Sequence, residues 1–340
     1  MFKGTRRQFL ATALLSATLL GTAHADQSKE LNFGIISTES STNLKSMWVP
    51  FLAAMSEKTG LKINAFFAPD YAGIIQGMRF DKVDLAWYGN KSAMEAVDRA
   101  GGEVIAQTVA ADGSPGYWSL LITHKDSPIN SVEDMLKNAK SLAFGNGDPN
   151  STSGYLVPGY YVFSKNNVEP NKIFKRTLNA SHEVNALSVA NKQVDVATFN
   201  TEAMDRLQKT NPAKAVQLKV IWKSPLIPAD PIVWRKNLSD ETKQKIKTFL
   251  MTYGSNPQEM AILSALQWGK FRDSSNDQLL PIRQLELFKL RNKVSTDAKL
   301  AAADKEVQLK EIDASLEKLT ARMQQVEQAQ AAGAKAASAG

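Results

Sequence analysis

The stretch Gly147-Asp148-Pro149-Asn150-Ser151-Thr152-Ser153-Gly154 lies between two patterned runs. Before it comes a short apolar strand pattern, Ser141-Leu142-Ala143-Phe144-Gly145. After it comes a helix-like run that starts near Ser153 and carries Tyr155, Leu156, Val157, Tyr160, Tyr161 and Phe163. Hydroxyls and amides therefore gather where a strand gives way to a helix. The first amides of a helix have no internal partner and sit at the positive end of its dipole. With Ser and Thr hydroxyls beside them, such an end binds phosphate, phosphonate, sulfate or carboxylate without a cation. The local alternative is that Ser151 or Thr152 only caps the helix.

The same strand–helix alternation extends in both directions. Upstream, strand patterns at 31–37, 61–67, 83–87 and 104–110 alternate with helical spacing at 44–58, 74–80 and 92–100. Trp48, Phe51, Leu52 and Met55 fall on one face of the first helix. Downstream, strands at 174–178, 194–198 and 219–222 alternate with helices at 182–190 and 203–208. Such alternation predicts α/β architecture, with sheets covered on both faces. Lys82-Val83-Asp84-Leu85-Ala86-Trp87 is echoed by Gln193-Val194-Asp195-Val196-Ala197-Thr198. The echo is weak, but it suggests two similar α/β lobes. From residue 305 the pattern changes. Leu309, Ile312, Leu316, Leu319, Met323 and Val326 step in threes and fours, which makes a narrow a/d seam. Residues 331–340, all Ala, Gly, Ser and Lys, predict a disordered tail.

Composition limits the function classes. The 340 residues suffice for two domains with real cores, and 43% hydrophobic and 22% charged residues are ordinary for a globular chain. There is no cysteine, so disulfides, cysteine-ligated zinc and thiol catalysis are out, as is a lipoprotein acylation site. Lys3, Arg6 and Arg7, the apolar run 9–22 and Ala23-His24-Ala25 read as an export signal cut after Ala25. Thr5-Arg6-Arg7-Gln8-Phe9-Leu10 also resembles a twin-arginine signal, although the general secretory (Sec) route stays open. Those three basic residues carry three of the formal +7 charges, which leaves about +4 on 26–340. With no dense Lys/Arg run, a nucleic-acid partner is poorly supported.

The run Asn64-Ala65-Phe66-Phe67-Ala68-Pro69-Asp70-Tyr71-Ala72-Gly73-Ile74-Ile75-Gln76-Gly77-Met78-Arg79-Phe80 resembles the periplasmic phosphonate-binding proteins of phosphonate ABC importers. So do 84–100, 107–117, 144–153 and 223–238, and the likeness spans nearly all of 30–300. The resemblance implies a two-lobe periplasmic binding protein of type II-like architecture, with two crossover segments and a C-terminal helical extension. Lobe 1 would be 26–118 and 231–285, lobe 2 119–230, and C-terminal helices 286–330 would mediate a homodimer. It implies a phosphonate held by Ser151, Thr152, Ser153, Tyr117 and His182. Around an ammonium, as in 2-aminoethylphosphonate, it implies Tyr71, Glu202 and Asp230. Two carboxylates and an aromatic face suit a primary ammonium. Taken alone, each acid would read as an ordinary exposed residue, and His182 as a helix-start residue bound to the backbone. The implied partner is the membrane permease of an ABC importer, with no cofactor, metal or catalytic residue.

Three rival readings differ in kind. A phosphate, phosphite or other organophosphorus binder would not need the Glu202/Asp230 pair. An exported phosphohydrolase would need a metal cluster or a base beside a nucleophile, and no His/Asp/Glu set here has metal-ligand spacing. A lectin-like or scaffolding role built on the heptad seam leaves the polar constellation unexplained. The signal reading has a direct check. Intact mass of exported protein is expected to begin at Asp26, and changing Arg6 and Arg7 together to Lys blocks export if the twin-arginine route is used.

Overall fold

Short β-rich runs broken by good helix caps set the order of elements. In the computed structural model, which describes residues 30–338, the chain opens with β1 (Glu30–Ile35), α1 (Ser41–Thr59), β2 (Lys62–Phe67) and α2 (Tyr71–Arg79). It continues with β3 (Leu85–Trp87), α3 (Asn90–Arg99) and β4 (Gly102–Gln107). Ser40 caps α1 and Asp70 caps α2, each side chain accepting a backbone N–H three residues on. The export signal, the cut after Ala25 and the twin-arginine pair lie outside the described residues.

After β5 (Gly116–Tyr117) a second unit begins with β6 (Ser119–His124), α4 (Val132–Asn138) and β7 (Ala143–Gly147). A wide-turned helical segment follows (Thr152–Leu156, Gly159–Phe163), then α5 (Pro170–Ile173), β8 (Arg176–Ala180), α6 (His182–Ala190) and β9 (Val196–Asn200). The unit closes with α7 (Thr201–Thr210), α8 (Pro212–Ala215) and β10 (Leu218–Lys223). The chain returns through β11 (Ile227–Pro228) to β12 (Pro231–Arg235), α9 (Asp240–Thr252), α10 (Pro257–Ala265) and β13 (Arg272–Asp273). It ends in α11 (Leu280–Thr296) and α12 (Ala302–Ser338).

Two sheets define two lobes. The first has the order β2-β1-β3-β12-β4-β13, and the second β10-β6-β9-β7-β8. In the first, β1 runs parallel to β2 and β3, and the returning β12 is antiparallel to β3 and β4. In the second, β7 runs parallel to β8 and β9, and β6 is antiparallel to β9. The crossovers are hydrogen-bonded to one another: β5 and β11 pair antiparallel, with Tyr117 opposite Ile227. This pairing requires Gly116, because a Cβ there would overlap the Ile227 carbonyl. Phe33, Trp48, Phe51 and Trp268 mesh at tilted and edge-on angles in the first core. Phe144 stacks on Phe174 at 4.6 Å in the second.

The weak sequence echo is a structural equivalence. Asp84 Oδ2 accepts the Asn32 N–H at 2.8 Å, and Asp195 Oδ2 accepts the Ala143 N–H at 2.7 Å. Each aspartate thereby joins the start of one strand, β3 or β9, to its parallel neighbour, β1 or β7.

Three expectations are corrected. The run after Ser151 is not a regular α-helix at its start. Leu156 N–H reaches back five residues to the Ser151 carbonyl, and Val157 N–H to that of Thr152. Gly154, Pro158 and Gly159 explain this, since Pro158 has no N–H to give and glycine favours no helix. The tail expected to be disordered continues α12 as helix through Ser338. Its alanines carry the highest helix propensity, which outweighs the lack of apolar side chains. Finally, α11 runs unbroken through residue 285, so no element ends at the expected lobe boundary.

Candidate functional site

Strand ends and helix starts build one cavity between the lobes. In open α/β sheets, ligands bind outside the carboxyl ends of the parallel strands. Here β2 leads to Tyr71 at the start of α2, and β3 to Gly89 at the cap of α3. In the second lobe β7 leads to Ser151, β8 to His182 at the start of α6, and β9 to Glu202 in the first turn of α7. Several helix N-termini thus face one space, and their dipoles make it attractive to an anion without a lysine in it.

The cavity is nearly shut, with a free volume of about 10 Å3, room for about one water. All eight residues singled out in the sequence line it: Tyr71, Tyr117, Ser151, Thr152, Ser153, His182, Glu202 and Asp230. Thr38, Trp87, Asn200 and Arg206 line it too, and sequence reasoning missed them. A signal existed for Arg206, which lies four residues after Glu202 and so on the same helix face. Thr38 and Trp87 each stand just past or at the end of a strand, the position the topology makes a ligand edge.

The hydroxyl loop has a built geometry. Ser151 does cap the helical turn, its Oγ accepting the Gly154 N–H at 2.9 Å, so the capping reading is realised, and the same hydroxyl hydrogen-bonds the Tyr71 phenol. Thr152 Oγ1 accepts the Lys91 N–H from the other lobe at 2.8 Å. Ser119 Oγ donates to the Ser153 carbonyl at 2.6 Å. A Cβ on Gly147 would stand 2.5 Å from the Gly154 backbone, so only glycine lets strand and turn pack this closely.

The tautomer of His182 follows from its neighbours. Asn200 Oδ1 accepts the Ala203 N–H at 2.7 Å, which fixes that amide. Asn200 Nδ2 therefore points to His182 Nε2 at 3.2 Å and to Ser153 Oγ at 3.1 Å. Nε2 must accept, so the proton sits on Nδ1, which is buried with no partner. Burial, helped by Arg206, lowers the imidazole pKa to about 3. His182 is accordingly neutral, and of the charge and hydrogen bond a protonated ring would offer, only the hydrogen bond remains. Thr38 and Trp87 line this wall too, and among the described residues their buried Oγ1 and Nε1 also have no partner. Each of the three atoms carries a proton it can donate.

The carboxylates occupy the same space. Burial first, then the charge of Glu202, holds Asp230 well above the ordinary carboxylate range. Burial also raises Glu202, with Arg206 acting against it. Tyr117 O–H donates to Asp230 Oδ1 at 3.0 Å, so this hydroxyl, expected at the phosphonate end, is joined to the acid instead. Tyr71 is buried, and burial drives its phenol pKa far up, so it stays protonated. Arg206 is committed elsewhere. It pairs with Glu39 and donates to Gln267 Oε1 at 2.7 Å, both in the first lobe. Glu183 adds a second clasp between lobes, accepting from Ser40 N–H at 2.7 Å and Asn43 Nδ2 at 2.6 Å. Among the described residues no cluster of three or more His, Asp or Glu could hold a metal ion.

Comparison with known proteins agrees with this geometry. Residues 33–279 match the family model described as ABC transporter, phosphonate, periplasmic substrate-binding protein. The chain belongs to that family. It is 66% identical over 304 residues to the phosphonates-binding periplasmic protein of Escherichia coli K12, covering 89% of this chain and 90% of that one. It is similar to the crystal structure of a binding-protein component of an ABC phosphonate transporter from Pseudomonas aeruginosa, with a TM-score of 0.87 and 70% identity. That match covers 88% of this chain and 99% of the other. A Prochlorococcus marinus protein solved with methylphosphonate shares the fold, with a TM-score of 0.67 at 23% identity, over 76% of this chain and 97% of that one. The close relatives are solute-binding transport proteins, and the family is periplasmic.

The raised carboxylate pKa values give a pH dependence with a definite sign. A carboxyl raised in the folded state favours that state at low pH, and the advantage is lost as pH rises through its folded value. A ligand with an ammonium group needs these acids ionised, so it binds in competition with their protons. The affinity ratio of an aminated to a plain alkylphosphonate is expected to rise across roughly pH 5 to 8. Each affinity is referred to the phosphonate dianion, because the ammonium lowers the second phosphonate pKa of the aminated ligand. Calorimetry of both ligands across that range measures it.

Proposed function

We propose that the protein captures 2-aminoethylphosphonate in the periplasm, after export and a cut behind Ala25, and delivers it to the membrane permease of an ABC importer. Ser151, Thr152 and Ser153, the free amides of the turn they open, and His182 Nδ1–H receive the phosphonate oxygens. Glu202 and Asp230 receive the ammonium, with Tyr71 beside it and Tyr117 orienting Asp230.

The observation that carries this reading is the burial of two carboxylates in a cavity otherwise furnished with donors. Carboxylates there repel a bare dianion such as methylphosphonate or phosphate. They favour a ligand whose other end is positive, and they come from the second lobe and the crossover, so one ammonium helps hold the lobes closed.

Glu202→Gln separates this reading from a general phosphonate or phosphate binder. It is expected to weaken 2-aminoethylphosphonate about 10- to 100-fold, the loss of a hydrogen bond to a charged group, while sparing or improving methylphosphonate. Equal loss for both ligands makes the carboxylate structural.

The C-terminal extension supports a second part of the proposal, a homodimer. Only Ile312 of the a/d seam is buried, while Leu309, Leu316, Leu319, Met323 and Val326 stay half-exposed although α12 packs along α11. A chain ending at residue 300 is expected to bind ligand but to sediment as a monomer, and a persistent dimer would contradict the assignment.

A further inference from the structure

A second cavity, with a volume of about 280 Å3, lies between the wide-turned segment and α11. Asn146, Tyr155, Ser164, Asn171, Lys289 and Lys293 are on its wall. Binding of a phosphonate in the interlobe cleft makes no use of it.

Its charge is unbalanced. The Lys289 ammonium stands 4.8 Å from the centre of the Tyr155 ring and has no hydrogen bond or ion pair among the described residues. It is half-buried, and burial pulls its pKa below the ordinary lysine value even though Glu286, one turn earlier, acts in the opposite direction. A desolvated ammonium without an acceptor is costly, and a ring face offsets only part of that cost. Lys293 lies one turn further along α11. Glu169, the carboxylate on the wall, is already paired with Lys172 at 2.8 Å.

A neutral donor waits there as well. Asn146 is only 7% exposed. Its Oδ1 accepts the Gly147 N–H at 3.2 Å, which leaves its Nδ2 without a partner among the described residues. Ser164 and the Asn171 amide add further polar groups.

We propose that this cavity is a second binding site, for a small oxyanion, with Lys289 as its charge partner and Lys293 and Asn146 on its wall. The site backs onto the first one. Asn146 immediately precedes Gly147, and Tyr155 immediately follows Gly154, so the two ends of the hydroxyl loop are shared between the cavities.

Equilibrium dialysis with radiolabelled sulfate tests it on the full chain, with and without one equivalent of 2-aminoethylphosphonate, whose ammonium the lysines of this cavity repel. The expected result is about one sulfate per chain that this ligand does not displace, and methylphosphonate in excess competes at both sites. Lys289→Gln weakens that fraction roughly tenfold or more, Lys289→Arg keeps it, and neither change alters any displaceable fraction. Absence of a non-displaced sulfate, or its persistence unchanged in Lys289→Gln, overturns the proposal. A result without displaceable sulfate bears on the interlobe cleft alone, so the two sites are judged separately.

Discussion

Two carboxylates, Glu202 and Asp230, are buried in one cavity, and the nearest guanidinium, that of Arg206, is already engaged with Glu39 and Gln267. Ionised carboxylates are tolerable away from water only beside positive charge or strong donors. Asp230 has the Tyr117 hydroxyl, and Glu202 has the first turn of α7 and the Arg206 side chain one turn on, yet burial still raises both acids. The proposed preference for an aminated ligand rests on this frustration. A cationic group relieves it, and an uncharged group in the same place does not.

The rest of the molecule brings that pair opposite a nest of donors. Parallel strands in both sheets end at the same cleft, so the helices that follow present their N-termini to it. The crossover pairing of β5 with β11 ties Tyr117 and Asp230 to the hinge, while Glu202 and the hydroxyl loop belong to the second lobe. Closure therefore completes the site rather than merely covering it. Glu183 and Arg206 add direct contacts from the second lobe to the first, Arg206 from the cavity wall itself.

Much of this was legible in the sequence, for physical reasons. Strand and helix periodicities differ, so the alternation and the two-lobe α/β class could be read directly. The repeated Val-Asp phrase was readable because each aspartate does the same work, joining two strands of its sheet. The eight site residues were carried by resemblance, and the structure gathers them in one cavity. What could not be read depended on tertiary contacts. Thr38, Trp87 and Asn200 carry no local pattern that marks a ligand wall. The tautomer of His182 follows from the Asn200 amide fixed by Ala203 N–H and its neutral state from burial, and the bond from Tyr117 to Asp230 joins residues 113 apart. The wide turn after Ser151 and the helical tail were misread because Pro158 and the alanine run act on backbone geometry, which apolar periodicity does not report.

Calorimetry of the wild-type protein with 2-aminoethylphosphonate, methylphosphonate and inorganic phosphate, side by side at one neutral pH, tests the central claim most directly. Pairing of the ammonium with buried carboxylates predicts that 2-aminoethylphosphonate binds tightest, by about tenfold or more over either anion that lacks the amine. Equal affinities, or tighter binding of methylphosphonate or phosphate, would contradict it.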